Sequence, residues 1–250
     1  MLERLLKDTQ RRMPLIFGHR GSPLSSRENT VESYCHALAD GADGIELDVR
    51  ATADGVLVCH HNRTVRFGLR VSKMTFTELY RWYAKRDLTV ATLQSALEKV
   101  AGRGLVNIEI KVTGIEREVV ALAARYLPPS SYFFTSFKRA AVAACRELAP
   151  DVPAFLIARS IGSLAVMLTQ LREINASGIA LRHRLIDKRV IEFFRKHGLP
   201  VFAWTVNRLP NAKWLADMGV SGLITDLPRE MVEEFRRRAA LLSGDTLLEM

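Results

Sequence analysis

Ionisable side chains occupy positions in this chain where buried strands ordinarily carry apolar residues. In the segment 44–50, GIELDVR, apolar residues alternate with Glu46 and Asp48. Successive side chains of a strand point to opposite faces, so the two carboxylates share one face. Burying two like charges together is costly unless they hold an ion or a substrate. The pattern therefore predicts a charged site on this strand.

A second segment, 107–111 (NIEIK), repeats the alternation and puts Glu109 and Lys111 on one face. The two segments together offer three carboxylates: Glu46, Asp48 and Glu109. Hard oxygen ligands suit Mg²⁺ or Ca²⁺ better than Zn²⁺, and neither a cysteine nor a pair of histidines accompanies them. The alternative is an ion-pair network of these carboxylates with nearby cations, namely Arg20, Arg50 and Lys111.

Two histidines at predicted strand ends are placed to move protons near neutral pH. His19 ends the first predicted strand, and His61 ends a later one. Because neighbouring residues of a strand face opposite ways, only one of His60 and His61 points inward. Lone histidines are more often structural, so spacing alone leaves both the catalytic and the structural interpretation open.

Permanent positive charge beside the carboxylates would suit a phosphate. Arg20 and Lys111 supply it, as expected where phosphate is clamped and charge builds up in phosphoryl transfer. Trp204, at the end of another predicted strand, either forms an apolar wall of the site or packs in the core. The residues thus favour a divalent cation beside a small, anionic substrate.

Short apolar strands alternate with amphipathic helices from end to end, which is typical of parallel βα units. The core strands are predicted at 15–19, 44–49, 105–111, 132–137, 154–158, 178–182, 201–206 and 222–225. The helices are predicted near 29–40, 92–101, 115–126, 138–148, 161–173, 187–197, 209–217 and 228–240. Eight units in 250 residues match an α/β fold of the closed (β/α)8 TIM-barrel type, whose reactive groups lie at the carboxyl ends of the strands. A doubly wound open sheet is the alternative, although no Gly-x-Gly-x-x-Gly follows the first strand.

One short hairpin insertion interrupts the alternation after the second strand. The dipeptide Asp54-Gly55 is typical of a tight turn, so an extra strand at 56–61 is predicted to return antiparallel. A short helix at 75–83 fills the remaining space, which leaves no room for an inserted domain. We predict a single domain over residues 1–250, with the amino-terminal segment 1–13 as a helix covering the bottom of the barrel.

The composition excludes several classes of protein. Hydrophobic residues make up 48% of the chain and charged residues 25%, which argues against wholesale disorder. Three widely spaced cysteines form neither a disulfide framework nor a zinc knuckle. No apolar run suits a secretory signal or a membrane span, so we expect a cytoplasmic protein without stable membrane insertion. The net charge of +9 could attract nucleic acid, but no nucleic-acid-binding motif appears and the arginines are scattered.

Nine short motifs, in order, resemble those of the glycerophosphodiester phosphodiesterase family. They are GHRG at 18–21, ENT at 28–30, ELDV at 46–49, DG at 54–55, the histidine at 61, NIEIK at 107–111, SF at 136–137, WTVN at 204–207 and GLITDLP at 222–228. The resemblance covers about residues 14–230. It implies a (β/α)8 barrel that uses a divalent cation to hydrolyse glycerophosphodiesters to glycerol 3-phosphate and an alcohol.

Carried over by position, the resemblance also implies roles for individual residues. The acid–base pair would be His19 and His61, the metal ligands Glu46, Asp48 and Glu109, the phosphate contacts Arg20 and Lys111, and the supports of the pocket Glu28 and Asn29. The family usually has aspartate after its second histidine, where this chain has Asn62. Asn62 accepts a hydrogen bond but adds no negative charge, so we expect His61 to work over a shifted pH range.

Two other interpretations remain open at this point. Related barrels share the same histidines and carboxylates, so a lysophospholipase D or sphingomyelinase D-like activity is a second enzyme interpretation. A barrel that binds ligands without catalysis is a third, with Asn62 as the one sign of decay.

Overall fold

Eight parallel strands close into a barrel in the computed structural model, which describes residues 13–65 and 68–243. The strands, in chain order, are β1 (Leu15–His19), β2 (Gly44–Ala51), β3 (Leu57–Cys59), β4 (Leu105–Ile110), β5 (Tyr132–Ser136), β6 (Ala154–Ala158), β7 (Gly178–Arg182), β8 (Val201–Trp204) and β9 (Gly222–Thr225). The order around the barrel is β1-β9-β8-β7-β6-β5-β4-β2, and pairing of β1 with β2 closes it. The predicted TIM barrel is therefore confirmed, and the open sheet is wrong.

Helices follow the barrel strands and surround them. In chain order they are α1 (Val31–Ala39), α2 (Phe76–Ala84), α3 (Leu93–Val100), α4 (Glu116–Tyr126), α5 (Arg139–Leu148), α6 (Leu164–Glu173), α7 (Lys188–Lys196), α8 (Leu209–Met218) and α9 (Pro228–Ser243). None of these helices is long and apolar enough to cross a membrane. The predicted amino-terminal helix lies outside the described residues, as do both ends of the predicted single domain.

The predicted hairpin is confirmed, although its second strand is shorter than expected. β3 runs antiparallel to β2, from Val49 opposite Cys59 to Ala51 opposite Leu57. Gly55 makes the turn with φ of +80°, a conformation that glycine adopts without steric cost. The chain leaves the sheet at Cys59, so His61 lies in the following loop and does not end a strand.

The loop after β3 separates two adjacent histidines, as the sequence predicted. The ring of His60 is buried, and its Nε2 lies 2.7 Å from the hydroxyl oxygen of Tyr83 on α2. His61 instead faces the pocket that contains the carboxylates.

Other strand ends also differ from prediction. β8 ends at Trp204 and not at residue 206, because its last residue pairs with Arg182, where the neighbouring strand β7 ends. β4 and β5 each end one residue earlier than predicted, at Ile110 and Ser136. Lys111 nevertheless stays beside the sheet, since its backbone N–H donates to the carbonyl oxygen of Val49 at 3.1 Å.

Four phenylalanine rings fill the interior of the barrel. Phe17, Phe133, Phe155 and Phe202 are fully buried, with ring centroids of contacting pairs 5.3–5.6 Å apart. Glycine makes room for the rings: a Cβ on Gly178 would lie 2.8 Å from the Phe155 ring. Phe17 lies two residues before His19 on the same face of β1, so the polar groups stand above an aromatic floor.

Candidate active site

The structure brings the three predicted carboxylates together. Strand pairing sets Asp48 of β2 beside Glu109 of β4, and Glu46 precedes Asp48 by two residues on the same face. One oxygen from each carboxylate lies within 4.8 Å of the other two. All three side chains are buried. Three acidic groups thus share one small space at the carboxyl ends of the strands.

Two of the three predicted cations lie against these carboxylates. Nζ of Lys111 is 2.9 Å from Oδ1 of Asp48 and 2.6 Å from Oε1 of Glu109. Nε of Arg20 is 3.2 Å from Oδ2 of Asp48. Part of the predicted ion-pair network therefore exists alongside the carboxylate cluster.

Arg50 does not join that network, so this part of the prediction is wrong. Its guanidinium donates to the carbonyl oxygen of His61 at 2.8 Å. The β2–β3 hairpin brings the chain after β3 back alongside the end of β2 and offers this acceptor.

The uneven placement of the cations separates the pKa values of the carboxylates. Burial raises the pKa of Glu46, and the charge of Asp48 raises it further, to about 8. Burial and Asp48 also raise the pKa of Glu109. For Asp48 burial acts in the same direction, but Lys111 and Arg20 outweigh it and lower the pKa to about 2. Two of the three carboxylates are therefore short of positive charge.

The cluster fits a hard divalent cation. Its donors are carboxylate oxygens, the ligands that Mg²⁺ and Ca²⁺ prefer. Oε1 of Glu46 is buried and has no hydrogen-bond partner among residues 13–65 and 68–243. A buried oxygen without a partner is costly, and a bound cation would satisfy it.

The loop after β1 is held by backbone turns that few residue types adopt. Arg20 and Asn29 have φ of 56° and 57°, in the left-handed region, where each non-glycine residue costs about 1–3 kcal/mol. The turn at Arg20 directs its backbone N–H to Oε2 of Glu46 at 2.9 Å. Asn29 donates from Nδ2 to Oδ2 of Asp48 at 2.8 Å. Glu28 accepts from the Arg20 guanidinium at 2.8 Å, so Glu28 and Asn29 of the ENT motif both support the site.

An acid that the sequence analysis missed orients His19. Nδ1 of His19 lies 2.6 Å from Oδ1 of Asp226, in the loop after β9. Asn207 holds this acid: its Nδ2 donates to Oδ2 of Asp226 at 2.5 Å, and its Oδ1 accepts from the Asp226 backbone at 2.9 Å. Burial lowers the pKa of His19, but the hydrogen bond to Asp226 and the charge of Glu46 outweigh it and raise the pKa. The signal was available, since Asp226 follows the strand that neighbours β1 in a closed barrel.

His61 faces the same carboxylates with an uncharged neighbour. Its Nδ1 lies 3.1 Å from Oδ1 of Asn62. Burial lowers the pKa of His61, and the charges of Lys111 and Arg20 act in the same direction, whereas Asp48 opposes them. The two imidazoles of the pocket thus have pKa values displaced in opposite directions.

Aromatic rings form one wall of the pocket. Trp204 packs edge-on against Phe137, with ring centroids 5.5 Å apart, and its Nε1 donates to the carbonyl oxygen of Ala180 at 3.1 Å. The guanidinium of Arg159 lies 4.6 Å from the centre of the Phe137 ring. Trp204 is half-buried: it lines the pocket and also packs against the buried aromatic cluster inside the barrel, so both predicted placements hold in part.

A family model agrees with this geometry over most of the chain. The model of the glycerophosphoryl diester phosphodiesterase family matches residues 19–230, which include every candidate site residue. The chain belongs to this family. It is accordingly an enzyme of the phosphodiesterase class, and the resemblance read from the nine motifs is confirmed.

Named relatives of the family align along almost their full length. A glycerophosphodiester phosphodiesterase of Bacillus altitudinis is 30% identical over 241 residues, which cover 88% of this chain and 98% of that protein. One from Caldanaerobacter subterraneus is 29% identical over 240 residues, covering 89% of this chain and 98% of the relative.

Solved structures of the family share the fold. The glycerophosphodiester phosphodiesterase of Thermotoga maritima superposes with a TM-score of 0.77 at 25% identity, over 88% of this chain and 98% of its own. An Oleispira antarctica phosphodiesterase, solved with the product sn-glycerol-3-phosphate, gives a TM-score of 0.81 at 23% identity, over 91% and 99% of the two chains.

Proposed function

We propose that this chain hydrolyses glycerophosphodiesters to glycerol 3-phosphate and an alcohol, with Mg²⁺ or Ca²⁺ as cofactor. The observation that carries the proposal is one pocket in which a buried cluster of three carboxylates lies beside two imidazoles and two cations. Family membership supports the reaction, and the product bound to the Oleispira relative supports the substrate class.

Glu46, Asp48 and Glu109 would hold the cation. When bound, it supplies positive charge that polarises the phosphoryl group and stabilises the transition state. Ligand carboxylates must be ionised, so Glu46, whose pKa is raised to about 8, would lose its proton on binding a cation.

Arg20 and Lys111 bind the non-bridging phosphate oxygens in this proposal. Burial lowers the pKa of Lys111, but Asp48 and Glu109 outweigh it and raise the pKa, so the ammonium group stays charged. Both cations pair with carboxylates of the cluster. A cation held by those carboxylates would neutralise part of their charge, which would leave donors of Arg20 and Lys111 for the charge that develops on the phosphoryl oxygens.

His19 and His61 exchange protons with the substrate. One imidazole takes the proton of the nucleophile, and the other protonates the departing alkoxide. Burial and the neighbouring charges displace the pKa of His19 upward and the pKa of His61 downward, so between the two pKa values one ring is protonated while the other is neutral, as an acid–base pair requires. The nucleophile is either water or the 2-hydroxyl of the substrate's glycerol, which would give a cyclic phosphate first.

Incubation with glycerophosphocholine and with lysophosphatidylcholine, each with Mg²⁺ or Ca²⁺, tests the proposal. We expect glycerophosphocholine to give glycerol 3-phosphate and choline. The reaction is monitored by ³¹P NMR, which would also reveal a cyclic phosphate intermediate. If the protein hydrolyses lysophosphatidylcholine but not glycerophosphocholine, the proposal is contradicted and a lysophospholipase D activity is favoured.

Single substitutions test the acid–base pair. His19→Ala and His61→Ala should each lower kcat by about 10²–10⁴-fold, the usual contribution of a positioned acid or base. His197→Ala is the matched control, because this histidine lies at the end of α7, where its Nδ1 is 2.8 Å from the carbonyl oxygen of Phe193. Circular dichroism checks that each variant folds. Wild-type turnover in both active-site variants would exclude the pair.

A further inference from the structure

A groove leads from the catalytic pocket along the rim of the barrel. Thr205, after β8, lines both the pocket and the groove. The remaining walls come from the loops after β7 and β8 and from α8, and they include His183, Arg184, Arg208 and Trp214. The groove is therefore a continuation of the site in which the scissile phosphate would lie.

Three arginines along this route have no acidic partner among the described residues. Arg159 in the pocket and Arg184 and Arg208 in the groove are exposed, and none forms an ion pair within residues 13–65 and 68–243. Some exposed arginines elsewhere pair with acids, as Arg139 does with Glu173 at 2.5 Å and Arg229 with Asp40 at 2.8 Å. The rim differs in that three arginines without an acidic partner line one continuous route from the pocket.

The acids needed to neutralise these arginines are absent from the described lining. The lining of the groove includes no aspartate or glutamate. In the pocket the acidic lining residues are Glu46 and Glu109, both of which belong to the proposed metal site. A second negative charge carried by a ligand would therefore meet cations without meeting an opposing carboxylate.

The barrel places these cations in one arc. β6, β7 and β8 are neighbours, so the loops that carry Arg159, Arg184 and Arg208 stand side by side. Arg159 lies over the ring of Phe137, which fixes its guanidinium at the pocket end of the arc. At the far end, the Nδ1 atom of His183 is buried without a hydrogen-bond partner among the described residues, and Trp214 is 52% exposed.

We propose that this groove binds a second anionic group, a phosphate or a carboxylate, on the alcohol portion of the substrate. The inference rests on the proposed function and narrows it: preferred diesters carry negative charge beyond the scissile phosphate. A diester of a cationic alcohol such as choline gains nothing from the groove, because its charge has the same sign as the arginines.

Two diesters that differ by one phosphodiester group test the inference. We expect kcat/KM for bis(glycerophospho)glycerol to exceed that for glycerophosphoglycerol by about fivefold after division by two for its two scissile bonds, since a charge pair about 4 Å apart gains about that factor even in water-like surroundings. The preference should shrink at high ionic strength, because the arginines are exposed.

Variants separate the groove from general electrostatics. Arg184→Gln with Arg208→Gln should lower the ratio of the two kcat/KM values to about two, the factor that the two scissile bonds alone would give. Arg184→Lys with Arg208→Lys keeps both charges and should retain the wild-type ratio. Arg172→Gln with Arg195→Gln is the matched control, because it removes two exposed charges from the last turns of α6 and α7, at the other end of the barrel. Its ratio should equal that of the wild type.

Several outcomes would overturn the inference. One is an equal corrected rate for the two diesters, and another is a ratio that the double glutamine variant leaves unchanged. Selective binding of phosphatidylglycerol vesicles without any diester preference would assign the groove to an acidic lipid surface. If neither diester is hydrolysed, the proposed function fails, and calorimetric titration of both diesters still decides the inference. The inference requires that the doubly charged diester bind about fivefold more tightly than the singly charged one, and that the double glutamine variant lose this difference.

Discussion

Replacing Asn62 with aspartate adds one negative charge beside His61 and changes the shape of the side chain little. The Asn62 oxygen already lies 3.1 Å from Nδ1 of His61. Opposite unit charges about 4 Å apart attract by about 1 kcal/mol in water and about 4 kcal/mol at an effective dielectric constant of about 20. Asn62 is exposed, so the lower figure applies. An attraction of about 1 kcal/mol between the new carboxylate and the imidazolium should raise the pKa of His61 by about 0.7 unit.

The pH dependence of kcat/KM on glycerophosphocholine, at fixed metal concentration, measures this shift. Asn62→Asp favours the protonated imidazole, so a higher pH is needed to remove its proton and the limb that reports His61 moves to higher pH. The shift should shrink in concentrated salt, because the added carboxylate is exposed. Asn62→Ser serves as the control without charge. An unmoved profile, or a shift to lower pH, would refute the assignment of that limb to His61.

Three further substitutions test the metal site, the orientation of His19 and the barrel core. Glu46→Gln should remove the stabilisation that Mg²⁺ or Ca²⁺ gives the wild type, which is about 2.7 kcal/mol at a hundredfold excess over Kd. Scanning fluorimetry with and without EDTA detects this stabilisation as a rise in melting temperature, and an equal rise in the variant would contradict Glu46 as a ligand. Asp226→Asn should lower kcat by about 10–100-fold and move the His19 limb of the pH profile to lower pH, because the imidazolium loses its anion; steady-state kinetics across pH checks both effects, and unchanged kcat contradicts the role. Phe17→Ala should cost about 3–5 kcal/mol of unfolding free energy, measured in urea, because the ring is fully buried.

The sequence allowed the barrel to be predicted because each strand is a short apolar run between turn residues and helical repeats. The misplaced end of β8 depends on the neighbouring strand β7. A strand continues only while its neighbour offers hydrogen-bond partners, as at Trp204 of β8 opposite Arg182 of β7. Where a strand ends thus depends on the strand that pairs with it, and the sequence of one strand alone does not indicate that position.

The site was predictable where the relation between residues is local. Alternation along β2 alone places Glu46 and Asp48 on one face, and the repeat on β4 adds Glu109. The contact between His19 and Asp226 spans 207 positions and exists only because the barrel closes. The direction of Arg50 depends on where a hairpin returns, which side-chain periodicity does not encode.

The aromatic floor of the barrel decides how molecules pass through the site. Phe17, Phe133, Phe155 and Phe202 leave no passage through the middle of the molecule, so the loop side is the one entrance and exit within the described residues. The product must leave through this opening before another diester can enter the pocket. Glycerol 3-phosphate should therefore compete with the diester for the same form of the enzyme, and turnover in a cell would slow wherever that product accumulates.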